Sequence, residues 1–520
     1  MNGAQALIRT LVGAGVDTCF MNPGTSEMHF VAALDDVPEM RGVLALFEGV
    51  ATGAADGYSR MAGRPAAVLL HLGPGLGNGL ANLHNARRGH VPVVNIVGDH
   101  ATYHAQYDAP LQSDITSIAS SLEGWIRTSA DPSTVAGDAA AAVAAAQGPP
   151  GRVATLILPA DTCWLPSGGP AQPQPLPAPQ PVDQGSVSAA AKVLSGDAPS
   201  ALMLGGSACF EGPLEDAGRI AAHTGAKLLA ETFPPRLQRG AGRVEPQRLG
   251  YLAEFAQAQL DGLEHLVLVE ATSPVSFFAY PDKASDLVPE GCTVHVLSVP
   301  GEDSTAALAA LAEELGAPAA TDEIRQTAAR PDRPTGELNA ETMAQAVGAL
   351  LPEGAIVADE GNTTGLFVAG ATAGAPRHDW LCLPGGAIGF GMPVATGAAV
   401  ASPGRKVLNL ESDGSAMYTF QSLWTQVREG LDVTTVILNN SSYAILELEL
   451  ARVGASADGE KAHEMLDISG PDLDFVSLAK GMGVEHASRA TTAEEFTSQL
   501  EAALRVEGPA VVEAVVPPLF

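Results

Sequence analysis

Cysteine is scarce in this chain: five in 520 residues (Cys19, Cys163, Cys209, Cys292 and Cys382), with no C-x-x-C pair among them. An odd, scattered set neither builds a disulfide framework nor supplies a zinc cluster, and it favours a reducing cytoplasm. Basic residues are also few. Lys and Arg total 28 against 59 Asp and Glu, a net charge of −31, which repels nucleic acid phosphates and anionic lipid headgroups and favours solubility. No apolar run approaches the roughly 18 residues that span a bilayer; the Ala-rich stretch Ala139–Ala146 is too short. The first residues, MNGAQALIRTLVGAGVD, show neither a basic leader nor a cleavage site. A cytoplasmic protein without nucleic-acid or membrane partners is therefore expected. Aromatic residues make up only 5% against 46% hydrophobic and 17% charged, an ordinary soluble α/β composition. At roughly 100–200 residues per domain, the length suggests about three domains.

Seven prolines fall within the sixteen residues PSGGPAQPQPLPAPQP, Pro166–Pro181, a composition that favours extended chain over helix or ladder. A second polar, Pro-containing stretch, PAATDEIRQTAARPDRPTGEL from Pro318 to Leu338, separates another pair of patterned regions. The reading is a first domain at 1–165, a linker at 166–185, a central domain at 186–317, a linker at 318–337 and a last domain at 338–520. All three domains alternate short aliphatic runs with longer amphipathic ones, the pattern of crossover units around parallel sheets. Strands are expected at Ala66–Leu70, Pro92–Val97 and Val153–Leu158, then at Ala201–Leu204, Ala226–Leu229, Leu266–Glu270 and Val294–Val299. The last domain offers Ala355–Ala358, Lys406–Leu410, Val433–Leu438 and Ala510–Val516. The fold class expected is α/β, with three consecutive doubly wound parallel-sheet domains.

The most informative stretch is Lys406–Tyr443, KVLNLESDGSAMYTFQSLWTQVREGLDVTTVILNNSSY. One apolar strand runs into Ser412-Asp413-Gly414-Ser415, a helix-length spacer follows, and a second strand ends in Asn439-Asn440. Both polar clusters then lie at carboxyl ends of neighbouring parallel strands, where open α/β sheets bind ligands. Asp413 supplies a hard anionic oxygen, Asn440 an amide oxygen and the loop at Ser442 a backbone carbonyl, a donor set suited to Mg²⁺ with room left for phosphate and water. The amides of Gly414 and Ser415 open a helix whose positive end attracts phosphate. The bland alternative is that Asp413 caps a helix and the asparagines turn a loop.

A strand ending in DG, a helix-long spacer and NN closing the next strand resembles the fingerprint of thiamine diphosphate enzymes; 24 residues separate Gly414 from Asn439. Ser412 departs from the family, which usually has Gly there. The resemblance covers essentially the whole chain and is nearest to the acetolactate-synthase-like and benzoylformate-decarboxylase-like members, with pyrimidine-binding, central and diphosphate-binding domains in that order. It implies thiamine diphosphate and Mg²⁺ as cofactors. It also implies a catalytic glutamate, and Glu48 in GVLALFEGVATGAADGYSR resembles it; on its own Glu48 is equally a helix-start carboxylate. Family precedent brings Glu48 of one subunit to Asp413 and Asn440 of another, so the expected assembly is at least a dimer, with a tetramer favoured.

Further positions carry over by the same resemblance. In Pro384–Phe390, Gly386 supplies the carbonyl for the cofactor's amino group and Ile388 the apolar wedge between its rings. Asn362 and Thr363 in the EGNTT loop contact diphosphate, and Gly414, Ser415, Asn440, Ser442 and Tyr443 line the cofactor. On the substrate side, Thr25 in NPGTSE stands where relatives place Ser or Asp, and His71 aligns with an active-site histidine. A helix cap and a structural histidine are their respective alternatives. The family's second histidine is missing, with Phe278 in its place; His100 and His104, near Gln106 and Tyr107, are candidates to replace it, or are simply loop residues. Leu446, with Glu447 after it, stands at the decarboxylase-type glutamate position, which disfavours an ordinary pyruvate decarboxylase mechanism.

The resemblance implies non-oxidative decarboxylation of a 2-oxo acid, carboligation of the resulting enamine to an aldehyde or 2-oxo acid acceptor, or both. Acetolactate synthase proper and a non-catalytic cofactor-binding paralogue remain alternatives. Gly205-Gly206 is only a turn, so FAD is not expected. Gly73-Pro74-Gly75-Leu76-Gly77 after a strand prompts a third alternative, an NAD-dependent oxidoreductase, but position 78 is Asn and the full G-x-G-x-x-G is absent.

Overall fold

The computed structural model describes residues 1–319, 322–455 and 459–519, so positions 320 and 321 of the second expected linker lie outside the described residues. Most strands are short runs of four to seven residues, and those covered by helices on both faces are buried end to end, as in Ala66–Leu70 and Val153–Pro159. Helices start on side-chain caps where the sequence supplies them: Asn2, Asp183, Asn339 and Thr492 each accept backbone N–H bonds from the first turn.

Three sheets result. The first has six parallel strands in the order Arg41–Leu44, Thr18–Met21, Ala66–Leu70, Val93–Asp99, Val153–Pro159 and Trp125–Thr128. The second is a parallel sheet of five: Gln247–Arg248, Lys227–Ala230, Ser200–Leu204, His265–Val269 and Thr293–Ser298. The third runs His486–Ala490, Ala510–Val515, Val433–Asn439, Val407–Ser412, Ile356–Glu360 and His378–Leu381, all parallel, then adds Leu237–Arg239 antiparallel at its edge.

That last strand makes the third sheet mixed. Its residues come from the middle of the chain, yet they pair with His378–Leu381. The Arg239 guanidinium lies 4.9 Å from the Trp380 ring centre and donates to the Ala369 carbonyl at 2.7 Å. An edge that would offer unpaired backbone groups is thereby covered. Short or polar strands (Arg41–Leu44, Trp125–Thr128, His486–Ala490) were not expected, because four or five residues without a long apolar run carry too weak a pattern. Among the described residues no helix is long and apolar enough to cross a membrane.

The first and third sheets meet through two helices, Glu48–Ala62 and Gly391–Ala401, both buried along nearly their whole length. Glycine makes the crossing possible: a methyl group on Gly57 would overlap the Val394 carbonyl, and one on Gly397 the Ala54 carbonyl. One turn further on, Arg60 forms a two-pronged ion pair with Asp56, Nε to Oδ1 at 2.6 Å and Nη2 to Oδ2 at 2.7 Å. Its remaining donor reaches the carbonyls of Cys382 at 2.7 Å and Pro235 at 2.9 Å. A buried pair of this kind adds little net stability over an apolar equivalent, but loss of one partner strands the other. Arg60 thus ties first, central and last parts of the chain together at a single guanidinium.

Gly397→Ala should therefore cost at least the 1–3 kcal/mol typical of overpacking and lower the calorimetric Tm by several degrees. Gly137→Ala, on an exposed helix face with no atom within 4 Å of the added methyl, should leave Tm unchanged or raise it, by up to about 1 kcal/mol of helix propensity.

Candidate functional site

Parallel strands put all their carboxyl ends on one edge of a sheet. In the first sheet four adjacent strands deliver, in spatial order, Glu48 after Arg41–Leu44, Thr25 and Glu27 after Thr18–Met21, His71 after Ala66–Leu70, and His100 after Val93–Asp99. In the third sheet four adjacent strands deliver Asn440, Asp413, the loop from Glu360 to Thr363, and the turn Pro384–Phe390.

Glu48 opens its helix and is nearly buried. Its Oε2 accepts a bond from Asn78 Nδ2 at 3.0 Å, and Oε1 lies 3.3 Å from where a Gly75 Cβ would stand. Asn78 and Gly75 belong to the helix Leu72–Arg88. The glycine run that suggested a dinucleotide loop is therefore inside a helix, where Gly73, Gly75 and Gly79 let Ser113, Glu48 and Thr52 approach.

His71 caps that helix, and its Nδ1 sits 2.8 Å from Glu27 Oε2. The same carboxylate oxygen accepts the Gly24 N–H at 2.7 Å; Glu27 Oε1 is buried against Gly98 with no hydrogen-bond partner among the described residues. Burial pushes the Glu27 carboxyl above its ordinary range, opposed by the imidazole and the Gly24 N–H. Glu27 has no role in the sequence reading, because SE before an apolar run looks like a capping signal; the structure gives it both jobs, since its carboxylate also accepts the N–H of Gly24, which precedes the short helical turn Thr25–Glu27. Thr25 is exposed and makes no side-chain hydrogen bond among the described residues. The His100 and His104 rings are 5.2 Å apart, with Tyr107 5.8 Å beyond His104. His100 Nε2 is buried with no hydrogen-bond partner among the described residues.

On the third sheet, Asp413 is 2% exposed and works as a backbone clamp. Its Oδ1 accepts the Gly414 N–H at 2.8 Å, while Oδ2 accepts those of Asn440 at 3.0 Å and Ser441 at 2.7 Å, binding two strand ends together. Burial raises its pKa and these bonds oppose the rise. Asn440 Oδ1 accepts the Ser442 N–H at 3.0 Å, whereas Asn439 turns away to Glu513 at 2.8 Å. Tyr443 lays its ring where a Gly414 side chain would be. Asn362, at φ +43°, donates to Ser412 Oγ at 2.9 Å and Ser415 Oγ at 3.3 Å, and Ser412 Oγ donates to the Glu360 carbonyl at 3.0 Å. The serine in place of the family's glycine thus joins this polar cluster. Thr363 is half-buried beside it.

The turn Pro384–Phe390 faces the first sheet's helices. Asn85 Nδ2 donates to Ala387 O at 2.8 Å, and Asn82 Nδ2 bridges Gly49 O at 2.9 Å and Gly389 O at 3.1 Å, which brings the residue after Glu48 close to the turn. Ile388 is half-buried against the shared apolar core. Gly386, at φ +72°, has the Phe277 ring 2.6 Å from its absent Cβ. Phe277, not Phe278, is the central aromatic that reaches the turn; Phe278 packs on it at 5.1 Å and remains 52% exposed.

Under the turn lie two further buried acids. Glu360 accepts N–H bonds from Gly389 at 2.9 Å, Phe390 at 2.8 Å and Gly391 at 2.5 Å, and Glu411 is its register partner on the next strand. Burial pushes the Glu360 carboxyl up to about 7 and Glu411 well above its ordinary range, because two adjacent carboxyls without a cation cannot both ionise.

The structure therefore gathers Glu48, Glu27 and His71 at one edge, and Asp413, Asn440, Ser415 and Asn362 at another, with Gly386–Ile388 between lobes. Among the described residues no hydrogen bond within one chain joins Glu48 or His71 to Asp413 or Asn440.

Comparison with known proteins agrees with this division. Residues 1–120 match the family model of the thiamine pyrophosphate enzyme N-terminal TPP binding domain, and residues 361–514 match that of the C-terminal TPP binding domain. The chain is 60% identical over 525 residues, covering 100% of both, to the Mycobacterium tuberculosis protein named "Putative acetolactate synthase large subunit IlvX". It is 30% identical over 536 residues, 96% of each chain, to benzoylformate decarboxylase of Pseudomonas aeruginosa. Among solved structures, the thiamine diphosphate-dependent 4-hydroxybenzoylformate decarboxylase of Rhodococcus jostii superposes with a TM-score of 0.87 at 23% identity over 99% of each chain, a likeness of fold. With both of its cofactor-binding domains matched and a full-length relative at this identity, the chain belongs to the thiamine pyrophosphate enzymes.

Proposed function

We propose that this protein uses thiamine diphosphate and Mg²⁺ to decarboxylate a 2-oxo acid, to join the resulting fragment to an aldehyde or 2-oxo acid acceptor, or both. The observation that carries the reading is the Asp413 clamp. Its carboxylate draws the Gly414 turn and the Asn440 loop together, leaving a compact set of hard oxygen donors beside the hydroxyls of Ser412 and Ser415. Asp413, Asn440 Oδ1 and the Ser442 carbonyl suit Mg²⁺ in number and kind; Asn362, Thr363, Gly414 and Ser415 are placed for diphosphate oxygens, with Tyr443 closing that side. The donor chemistry fits the group.

When bound, thiamine diphosphate supplies a nucleophilic carbon and an electron sink. The chain's residues supply the rest. Glu48, nearly buried and held by Asn78, exchanges a proton with the aminopyrimidine ring nitrogen. The Gly386 carbonyl would accept from the cofactor's amino group, and Ile388 would pack between its two rings. His71, its Nδ1 held by Glu27, is placed to exchange a proton with the substrate through Nε2. Thr25 offers an exposed hydroxyl to a substrate carboxylate, and His100 with His104 stands next in line along the same edge. The aromatic wall headed by Phe277 replaces the second histidine of benzoylformate-type enzymes, so any protonation at that position falls to these N-terminal groups.

We also propose a cytoplasmic homo-oligomer, at least a dimer and by family precedent a tetramer, in which Glu48 of one copy meets Asp413 and Asn440 of another. The exposed apolar side chains of Leu46, Tyr103, Leu366, Met417, Tyr418 and Leu446 border the candidate segments, an arrangement that favours burial against a second copy.

The reaction class is tested by product analysis with pyruvate, benzoylformate and branched 2-oxo acids, each with and without an aldehyde. Aldehyde or 2-hydroxyketone formation is expected; cofactor binding without turnover across the panel would mark a non-catalytic paralogue. Chelation with EDTA should abolish thiamine diphosphate binding in calorimetry, and Mg²⁺ should restore it to wild type but not to Asp413→Ala. In Glu48→Gln the cofactor should still bind, while exchange of its C2 proton into D₂O, followed by NMR, should fall at least 100-fold. Wild-type exchange in that variant would remove Glu48 from its role.

A further inference from the structure

The turn that presents Gly386 and Ile388 contains two residues with positive φ, Gly386 at +72° and Gly389 at +85°. Such a turn is adaptable, and something must set its height above the sheet. Side chains of the first lobe hold its outer part, Asn85 pairing with both backbone groups of Ala387 and Asn82 donating to the Gly389 carbonyl at 3.1 Å, and Thr419 of the last domain donates to the same carbonyl at 3.1 Å. From below, a single carboxylate accepts three successive backbone N–H groups, at Gly389, Phe390 and Gly391.

That carboxylate belongs to Glu360, the last residue of the strand Ile356–Glu360. Three further facts place it. Its backbone carbonyl accepts Ser412 Oγ, which in turn accepts Asn362 Nδ2, so one residue roots both the turn above it and the polar loop beside it. Its neighbour in register is Glu411, fully buried, whose Oε2 stands where a Gly391 side chain would be and accepts from Asn409 Nδ2 at 3.2 Å. No Lys, Arg or His pairs with either carboxyl among the described residues. A salt bridge that only stabilised the core would bring a cation; here Glu360 is spent on three backbone donors of one turn, and Glu411 accepts from the Asn409 amide.

We propose that Glu360, seated against Glu411, is a positioning residue that fixes the Gly386 carbonyl and Ile388 relative to the Asn362–Ser412–Ser415 cluster. It acts on the cofactor only through these groups, and it couples the grip on the pyrimidine half to the grip on the diphosphate half. The inference rests on the thiamine diphosphate reading above and specifies what keeps its two half-sites in register.

Glu360→Gln tests it, since the amide offers one acceptor oxygen and turns an NH₂ toward backbone donors. Glu360→Asp keeps the charge but withdraws the acceptor by one methylene, and it carries the test if the first variant does not fold. Three quantities are read on the full chain with Mg²⁺: the melting temperature without cofactor, the Kd for thiamine diphosphate, and the C2 proton exchange rate at saturating cofactor. The expected result is a cofactor-free Tm within a few degrees of wild type, a Kd raised at least tenfold, and exchange slowed at least tenfold even when the site is saturated. Wild-type Kd and exchange in a folded variant would overturn the proposal, as would a lowered Tm with unchanged exchange at saturation, which is what a merely structural acid gives. Failure of wild type itself to bind thiamine diphosphate would instead overturn the functional reading.

Discussion

The close crossing of Glu48–Ala62 with Gly391–Ala401 is the contact on which the site depends. Both helices begin at the candidate site: one on Glu48 itself, the other immediately after the turn carrying Gly386 and Ile388. A separation wider by one methyl group would shift the two half-sites that the chain presents relative to each other as surely as it would open the core. Small residues along both helices are therefore a constraint on chemistry as well as on packing, and the Asp56–Arg60 pair one turn further on resists any sliding of the two lobes.

Acidity sets the second constraint. Glu27, Glu48, Glu360, Glu411 and Asp413 are all buried in or beside the candidate site of a chain with net charge −31, and Arg and Lys answer none of them. Backbone N–H groups do most of the compensating work, at Gly24, Gly389–Gly391, Gly414, Asn440 and Ser441. Such donors are fixed by the fold and cannot swing away, which suits a site whose geometry must already be in place before ligand arrives. They also leave carboxylate lone pairs free at Asp413, where a divalent cation would complete the balance.

How much of this was legible in the sequence follows from how local each feature is. Asp413 and Asn440 could be read because a parallel crossover fixes the spacing between consecutive strand ends, and the apolar runs on either side show where those ends fall. The domain-scale α/β architecture was readable for the same reason. Glu27 was not, since its neighbours form a capping signal and its contact with His71 spans 44 positions. Glu360 stood in the EGNTT loop without a role, and Glu411 had none either; only strand register brings them side by side. The Leu237–Arg239 strand, three residues long, owes its place to a partner more than a hundred residues away.

The glycine run from Gly73 to Gly77 shows why composition alone could not decide between cofactors. In a dinucleotide fold such glycines let backbone approach a pyrophosphate; here they lie within a helix and let side chains approach the helix instead. Gly75 leaves room for Glu48 and for the His71 Cβ, and Gly79 leaves room for Thr52. The phosphate-type donors are found on the other lobe, at the strand end that carries Asp413. Two sheets of like topology thus divide the labour, one presenting acids and an imidazole, the other oxygens and amides. The glycines of the first lobe serve to seat that lobe's acid at its own strand-end edge.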